Sequence, residues 1–445
     1  MNQILLLGAG LSSTSLIRYL LDNSDKYDWL ISVGDIDLKT AKRKVNGHSR
    51  AKSFHFDVDN QNQLEEEVKK ADVVISMLPA RMHPLVAHMC LENSKHMITA
   101  SYISDEIRNL ASEVRKKNIL FLNEIGVDPG IDHMSAMKVI HRIKEEGGKI
   151  LSFKSSTGGL IAPEYDNNPW NYKFTWNPRN VVLAGNGVSR YRKHGRYKYI
   201  PYHKLFTRLE TISILDYGEF EVYPNRDSLS YMETYDLQDI PTMFRGTMRR
   251  PGYGKAWSVF VELGLTNSDF KVDNSEAISY REFVNMFLAY DPVKPVEQKV
   301  CEYTGITMDS PEMEKLNYLG IFSDELIGLK DVTPAQILQH RLEQKWGLDP
   351  DDKDMIVMQH QFEYEIDGLR KKIISSLVVI GKNTEDTAMS ITVGTPVAIA
   401  TKLLLTGVIK KTGVIAPVEP DVYTPVLEEL EEYGIKFIEE TFDLD

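Results

Sequence analysis

The sequence reads as an α/β protein: an N-terminal domain with a parallel sheet, a second mixed α/β domain and a small helical insert. Three observations predict it. Apolar strand runs alternate with helical patterns through the first 125 residues. A glycine pair stands directly between the first strand and the first helix. After Asp128-Pro129-Gly130 the pattern changes to short strands broken by aromatic, Gly- and Pro-rich loops.

Taken in order, residues 4–7 form a buried-strand run that stops at Gly8, and a helix carrying Leu16, Ile17, Leu20 and Leu21 follows. Further strands are expected at 29–33, 53–56, 73–78, 97–100 and 119–122. The helix before the sixth strand begins after Ser104, with Asp105 and Glu106 where a helix dipole favours acids. Residues 131–146 read as a helix closed by Gly147-Gly148. Residues 149–270 suggest a second sheet, with 157–160 as a flexible loop and 168–176 as an aromatic wall. Residues 275–348 read as helices, 356–364 and 372–380 as a strand pair, 395–405 as an apolar helix and 434–438 as a closing strand. The expected domains are therefore 1–130, with 391–445 packing back on it; 131–274 with 349–390; and the insert 275–348.

Composition narrows the function. The 445 residues carry 52 basic and 64 acidic side chains, a net charge of −12. That balance gives no reason to expect nucleic acid or an anionic membrane as partner. Two cysteines, Cys90 and Cys301, build neither a disulfide framework nor a cysteine metal cluster, so a reduced cytoplasmic setting is expected. His83 and His88 face different ways on a helix, so no metal site is expected. No apolar run is expected to reach the roughly 18 residues that span a bilayer.

The chemistry begins at Gly8-Ala9-Gly10. A dinucleotide site needs the first glycine for a tight turn and the second for close approach of the pyrophosphate, with the helix N-terminus supplying N–H groups. Ser13 stands in place of the third glycine, so the motif gains its weight from context: strand before, helix after, and an acid ending the second strand. This order points to dinucleotide binding by the N-terminal domain. That acid, Asp35, accepts hydrogen bonds from ribose hydroxyls and repels a 2′-phosphate, favouring NAD over NADP. Asp37 is a second candidate for the ribose. Lys39, Lys42, Arg43 and Lys44 are the residues that would instead receive a phosphate. Gly8, Ala9, Gly10, Leu11, Ser12, Asp35, Ile36, Asp57, Val58, Leu78, Pro79, Ser101, Val127 and Asp128 are the candidate cofactor lining. Asp57 and Leu78-Pro79 read equally as plain turn residues.

Along the same edge, the fifth and sixth strands deliver Ser101-Tyr102 and then Glu124 through His133. Tyr102, Asp128 and His133 are the catalytic candidates, suited to proton transfer or to holding an ammonium group. The competing reading makes Asp128 or Asp132 a helix cap and His133 a satisfied first-turn residue. Of the three titratable groups Asp128 lies nearest the strand end. Arginines at 226, 245, 249 and 250 suggest a substrate with several carboxylates, although Arg249 and Arg250 read as surface charge paired with acids.

At this point the residues resemble a known family, the saccharopine dehydrogenases of the L-glutamate-forming type. The matching stretches are GAG (8–10), VVISMLPARMHPLVA (73–87), TASY (99–102), GVDPGIDHM (126–134), GGLIAPEYDNNPWNYKFTWNPR (158–179), YPNRDS (223–228), FRGTMR (244–249), ITVGTPVA (391–398) and GVIAPVEPDVYTPVLEEL (413–430). The resemblance implies a Rossmann domain, a mixed substrate and dimerisation domain and a small helical domain, assembled as a homodimer. It implies reversible oxidation of the secondary amine of saccharopine with NAD(P), yielding L-glutamate and 2-aminoadipate 6-semialdehyde. It puts Ser101, Tyr102, Asp128, Tyr172, Arg226 and Thr247 at substrate-contacting positions. Thr157 departs from the cysteine of many relatives, and Asp35 from the phosphate-binding residue of NADP users. A related dehydrogenase acting on a carboxylated polyamine, or an NAD(P)-binding redox sensor, are the alternatives; the cluster from Ser101 to His133 argues against a sensor.

Overall fold

In the computed structural model, which describes residues 1–444, two compact units emerge. The first comprises residues 1–150, 365–369 and 377–439; the second holds 151–364, 370–376 and the tail from 440.

The first unit is a seven-stranded parallel sheet. Its N-terminal strands are β1 (Asn2–Leu7), β2 (Trp29–Asp35), β3 (Ala51–His55), β4 (Val73–Ser76), β5 (His96–Ile98) and β6 (Leu120–Leu122). They lie in the order 3-2-1-4-5-6 reversed, the doubly wound order whose switch point falls between β1 and β4. The seventh strand, Gly413–Ile415, which the sequence reading does not include, extends β6 in parallel; the C-terminal segment returns to this unit only as far as residue 439. The strands read as nearly unbroken apolar runs because both faces are covered. Leu5, Leu7, Val74, Met97 and Phe121 pack under Leu64, Val68, Val86 and Cys90 from the helices. Helices α1 (Thr14–Asp22), α2 (Leu38–Val45), α3 (Gln61–Lys70) and α4 (His83–Glu92) connect the strands.

Two expectations change here. Helix Ile131–Glu145, assigned by sequence to the second domain, belongs to the first unit, tied to the C-terminal segment by the 2.8 Å hydrogen bond between His141 and Tyr423. The apolar helix starts seven residues early, as Ala388–Leu405, because Thr387 caps it by accepting from the Ser390 N–H. At 18 residues it is long and apolar enough to cross a membrane, contrary to expectation, but 72% of it is buried in the protein, as for a core helix. It packs on the start of α1 so closely that a Cβ at Gly394 would lie 2.9 Å from both the Leu16 nitrogen and the Ser12 carbonyl oxygen.

The second unit is built on a nine-stranded mixed sheet. Residues 157–160 are not a flexible loop but part of its long central strand Lys149–Ile161. Gly158 misleads: it is there because a Cβ would meet the Met248 carbonyl oxygen of the neighbouring strand at 2.8 Å. The expected strand pair is Asp354–Ile366 with Leu369–Ile380; the closing strand, expected at 434–438, is instead Ile438–Leu444, at the edge of this sheet rather than on the first unit. The expected insert is helical, with Tyr280–Asn285 and Pro334–Lys345 both opened by capping boxes, Ser279 with Glu282 and Thr333 with Gln336. It is not a separate body; Trp346 at its end joins Trp170, Tyr172 and Trp257 in one buried aromatic cluster. The segment expected as an aromatic wall is thus largely core.

Because backbone atoms face Gly394, Gly394→Ala should cost about 1–3 kcal/mol in denaturant unfolding. It should also weaken dinucleotide binding by shifting the start of α1. An unchanged unfolding midpoint would show that this contact yields without cost.

Candidate functional site

The loop after β1 turns at Gly8, whose φ is +99° and whose Cβ would stand 2.7 Å from the Met77 carbonyl oxygen. Only glycine fits that approach to the end of β4. Gly10, by contrast, has nothing within 4 Å of where a Cβ would be, so its backbone is open to an incoming group. Ser13 fills the third-glycine position by turning inward, fully buried, and donating to the Gly10 carbonyl at 2.8 Å. The Lys44 ammonium donates to the same carbonyl and lies 3.3 Å from the Ser13 hydroxyl. Burial and the neighbouring Arg43 push its pKa down to about 8.

Asp35 is held in place by backbone. Its Oδ2 accepts from the Ala9 N–H at 2.6 Å and its Oδ1 from the Asp37 N–H at 2.7 Å. Asp37 is a helix cap rather than a ribose contact, accepting from the Lys39 N–H at 3.0 Å and the Thr40 hydroxyl at 2.6 Å. Those hydrogen bonds, the Thr40 hydroxyl first, hold its carboxyl below the usual range. Beside the loop, Leu11 and Ile36 are 66% and 65% exposed, apolar surfaces at the ends of β1 and β2. Asp57 accepts from the Asp59 N–H at 3.0 Å, the turn reading, and remains half-buried. Val58 points into the core, which removes its side chain from the cofactor lining. Leu78 is half-buried, Pro79 exposed and Val127 buried. Ser12 is half-buried and Ala9 fully buried. The open Gly10, the helix start and the fixed acid together fit a dinucleotide.

Further along the edge, His83 was missed as a site residue by the sequence reading. It is buried, with Nδ1 2.8 Å from the Ser76 hydroxyl and Nε2 2.7 Å from the Ser101 hydroxyl. Burial pushes its imidazole down to about 4, so it is neutral at physiological pH. The signal available was its spacing: His83 opens α4, the helix that returns from β4 toward β5. Tyr102 is 51% exposed and Ser101 half-buried.

The turn after β6 corrects two expectations. His133 is fully buried, its Nε2 2.7 Å from Glu124 Oε2, so it is no open proton donor. Glu124 reaches it from a left-handed backbone position, φ +58°, while its other oxygen accepts from the Ile103 N–H at 2.9 Å. Asp132 is also buried and accepts from the Gly130 and His133 N–H groups at 2.6 and 2.8 Å; it sits in the first turn rather than at the cap position, which is Gly130. Asp128 stays half-buried on the turn.

In the second unit Arg226 is exposed, and none of the described residues pairs with its guanidinium. Thr247, half-buried, donates to Asn225 Oδ1 at 2.6 Å beside it. Tyr172 departs from the expectation of substrate contact: it is fully buried, with the Arg249 guanidinium 4.9 Å above its ring. Arg249 is not surface charge either. It is 2% exposed, also faces Tyr253 and Tyr223, and donates to the Met248 carbonyl at 2.8 Å. Arg250 lies over Phe220 at 4.4 Å and donates to the Tyr217 carbonyl at 2.7 Å. Aromatic faces replace the acids expected for both.

A 3-2-1-4-5-6 sheet with this glycine loop and a polar reaction edge defines a nicotinamide dinucleotide-dependent oxidoreductase. Residues 4–122 match the saccharopine dehydrogenase NADP binding domain, and 126–435 the saccharopine dehydrogenase C-terminal domain. The L-glutamate-forming saccharopine dehydrogenase [NADP(+)] of Saccharomyces cerevisiae is 34% identical, over 98% of this chain and 99% of its own. A mouse mitochondrial alpha-aminoadipic semialdehyde synthase is 34% identical over 98% of this chain, which matches 47% of that longer protein. The solved structure of apo, histidine-tagged, L-Glu-forming saccharopine dehydrogenase from Saccharomyces cerevisiae superposes with a TM-score of 0.90 at 33% identity, covering 99% of this chain and 100% of the other. The chain belongs to the saccharopine dehydrogenase family.

His83 gives a pH test of the site. An unfolded histidine titrates at about 6.5, whereas burial pushes the folded one down to about 4. Its contribution to stability is therefore complete above the unfolded value. It is lost as pH falls from there toward 4, at up to about 1.4 kcal/mol per pH unit. Urea unfolding of wild type and His83→Gln between these limits should show the wild type losing stability more steeply. Parallel curves would mean that the folded protein protonates His83 readily.

Proposed function

We propose that this protein is an L-glutamate-forming saccharopine dehydrogenase that works with NAD in preference to NADP. The observation that carries the reading is the similarity to the yeast enzyme along the whole of both chains, joined to a glycine loop that fits a dinucleotide. The nicotinamide supplies a hydride acceptor. The substrate's secondary amine becomes an imine, water adds, and the carbinolamine collapses to L-glutamate and the semialdehyde. Arg226, exposed and without a protein partner, offers its planar fork to a substrate carboxylate. Asp128, half-buried on the turn after β6, holds and orients the substrate amine, which passes its proton to water before the hydride leaves. Homodimerisation and a cytoplasmic location belong to the same proposal; sedimentation and cell fractionation test them.

The NAD preference rests on this chain's own residues, although the matching family domain and the yeast relative carry NADP in their names. What supports the reading is the acid ending β2: the Asp35 carboxylate, held by the Ala9 and Asp37 N–H groups, would repel a 2′-phosphate bound beside it. Of the four cations that would answer that phosphate, Lys44 is committed to the Gly10 carbonyl, while Lys39, Lys42 and Arg43 stay exposed.

Following absorbance at 340 nm with saccharopine, a carboxylated polyamine and common amino acids tests the substrate. Turnover of the polyamine alone would overturn the assignment. Titration with each dinucleotide should show tighter binding of NAD, and Asp35→Ser should narrow or invert the ratio. Tighter NADP binding by the unaltered protein would refute the role given to Asp35. Arg226→Lys keeps charge but loses the fork, so KM for saccharopine should rise about ten- to a hundred-fold with dinucleotide binding unchanged. An unaltered KM would remove Arg226 from the site.

A further inference from the structure

We infer that His83 is a positioning residue that makes the Ser101 hydroxyl an outward hydrogen-bond donor, directed at an acceptor oxygen of the ligand bound on this sheet edge. The argument is a count of hydrogens along Ser76–His83–Ser101. Ser76 is fully buried at the end of β4, and among the described residues its hydroxyl touches only His83 Nδ1, at 2.8 Å. If Nδ1 carried a proton, the Ser76 hydrogen would be buried with no acceptor, an arrangement proteins avoid. Nδ1 must therefore accept from Ser76. The imidazole is neutral, since burial holds its pKa far below physiological pH, so its single proton resides on Nε2.

That proton is donated to the Ser101 oxygen 2.7 Å away. A hydroxyl oxygen that accepts from an imidazole N–H still has its own hydrogen to give. Among the described residues the Ser101 hydroxyl has no other partner, and Ser101 is the half-exposed end of the chain of three. Its backbone is pinned, its N–H donating to Thr99 Oγ1 at 3.2 Å and its carbonyl accepting from the Glu124 N–H at 3.0 Å. The chain ends blindly at Ser76, so it cannot carry a proton to solvent. Ser101 is thus a recognition donor and not a base toward the substrate amine.

The chemistry that fits is an sp² oxygen: a carboxylate of the amino-acid substrate or the carboxamide of the nicotinamide ring. This inference rests on the proposed function for the presence of those ligands, but the tautomer does not.

The tautomer is read directly by two-bond ¹⁵N–¹H correlation on histidine-labelled protein, with the His83 signal identified by its loss in His83→Gln. A neutral ring protonated on Nε2 is expected; protonation on Nδ1 or on both nitrogens overturns the inference. Function is read with His83→Leu, which has no donor, and His83→Gln, which keeps one, each with Ser101 and with Ser101→Ala. His83→Leu should weaken the ligand about three- to ten-fold when Ser101 is present and leave it nearly unchanged in Ser101→Ala, while His83→Gln recovers most of the loss. A rise in the NADH dissociation constant identifies the carboxamide as acceptor; a rise in KM for saccharopine at unchanged kcat identifies the carboxylate. Equal losses in both backgrounds would make His83 merely structural. Failure of the unaltered protein to bind NADH would sink the proposed function and leave the tautomer standing.

Discussion

The approach of Gly8 to the Met77 carbonyl oxygen governs the N-terminal unit. It brings the end of β1 against the end of β4, at the point where the strand order reverses and a crevice opens. A side chain at position 8 would force these ends apart. The same turn presents the Ala9 N–H to Asp35, so the carboxylate at the end of β2 clamps the loop. From behind, the helix Ala388–Leu405 presses Gly394 onto the Ser12 carbonyl. The start of α1 is therefore fixed from three directions before any ligand arrives, the preorganisation that binding of an anion to backbone N–H groups requires.

Enclosure then sorts the titratable groups of the reaction edge. Glu124, Asp132 and His133 all lie within ten residues of Asp128, yet each is buried and spent on the turn that carries them. Burying a charged or polar group demands partners, and the left-handed Glu124 supplies one to His133. What stays toward solvent is Tyr102, half-buried Asp128 and the Ser101 hydroxyl. The site is accordingly poor in open acid–base groups and richer in groups that orient.

The arginines of the second unit divide by the same physics. Arg249, ending the strand Thr242–Arg249, is buried among three tyrosine rings, where aromatic faces compensate part of its lost hydration. Arg226, in the loop after the strand Glu219–Pro224, keeps its guanidinium in water. Only the latter can exchange solvent for a carboxylate without breaking the core.

Local chemistry was legible from the residues themselves. The strand–glycine–helix order, the acid ending β2, the return of the C-terminal segment and the helical run 275–348 depend on period, turn residues and caps, which neighbours along the chain decide. Gly158 looked like a loop and Arg249 like surface charge because their reasons lie on distant segments, in the Met248 carbonyl and in Tyr172 and Tyr223. The burial of His133 and Tyr172, the assignment of helix Ile131–Glu145 to the first unit and the linking of Ser76, His83 and Ser101 likewise arise only when distant segments meet. Sequence determined which groups were available; tertiary packing decided which of them keep contact with water, because a side chain's reactivity depends on its solvation and its partners.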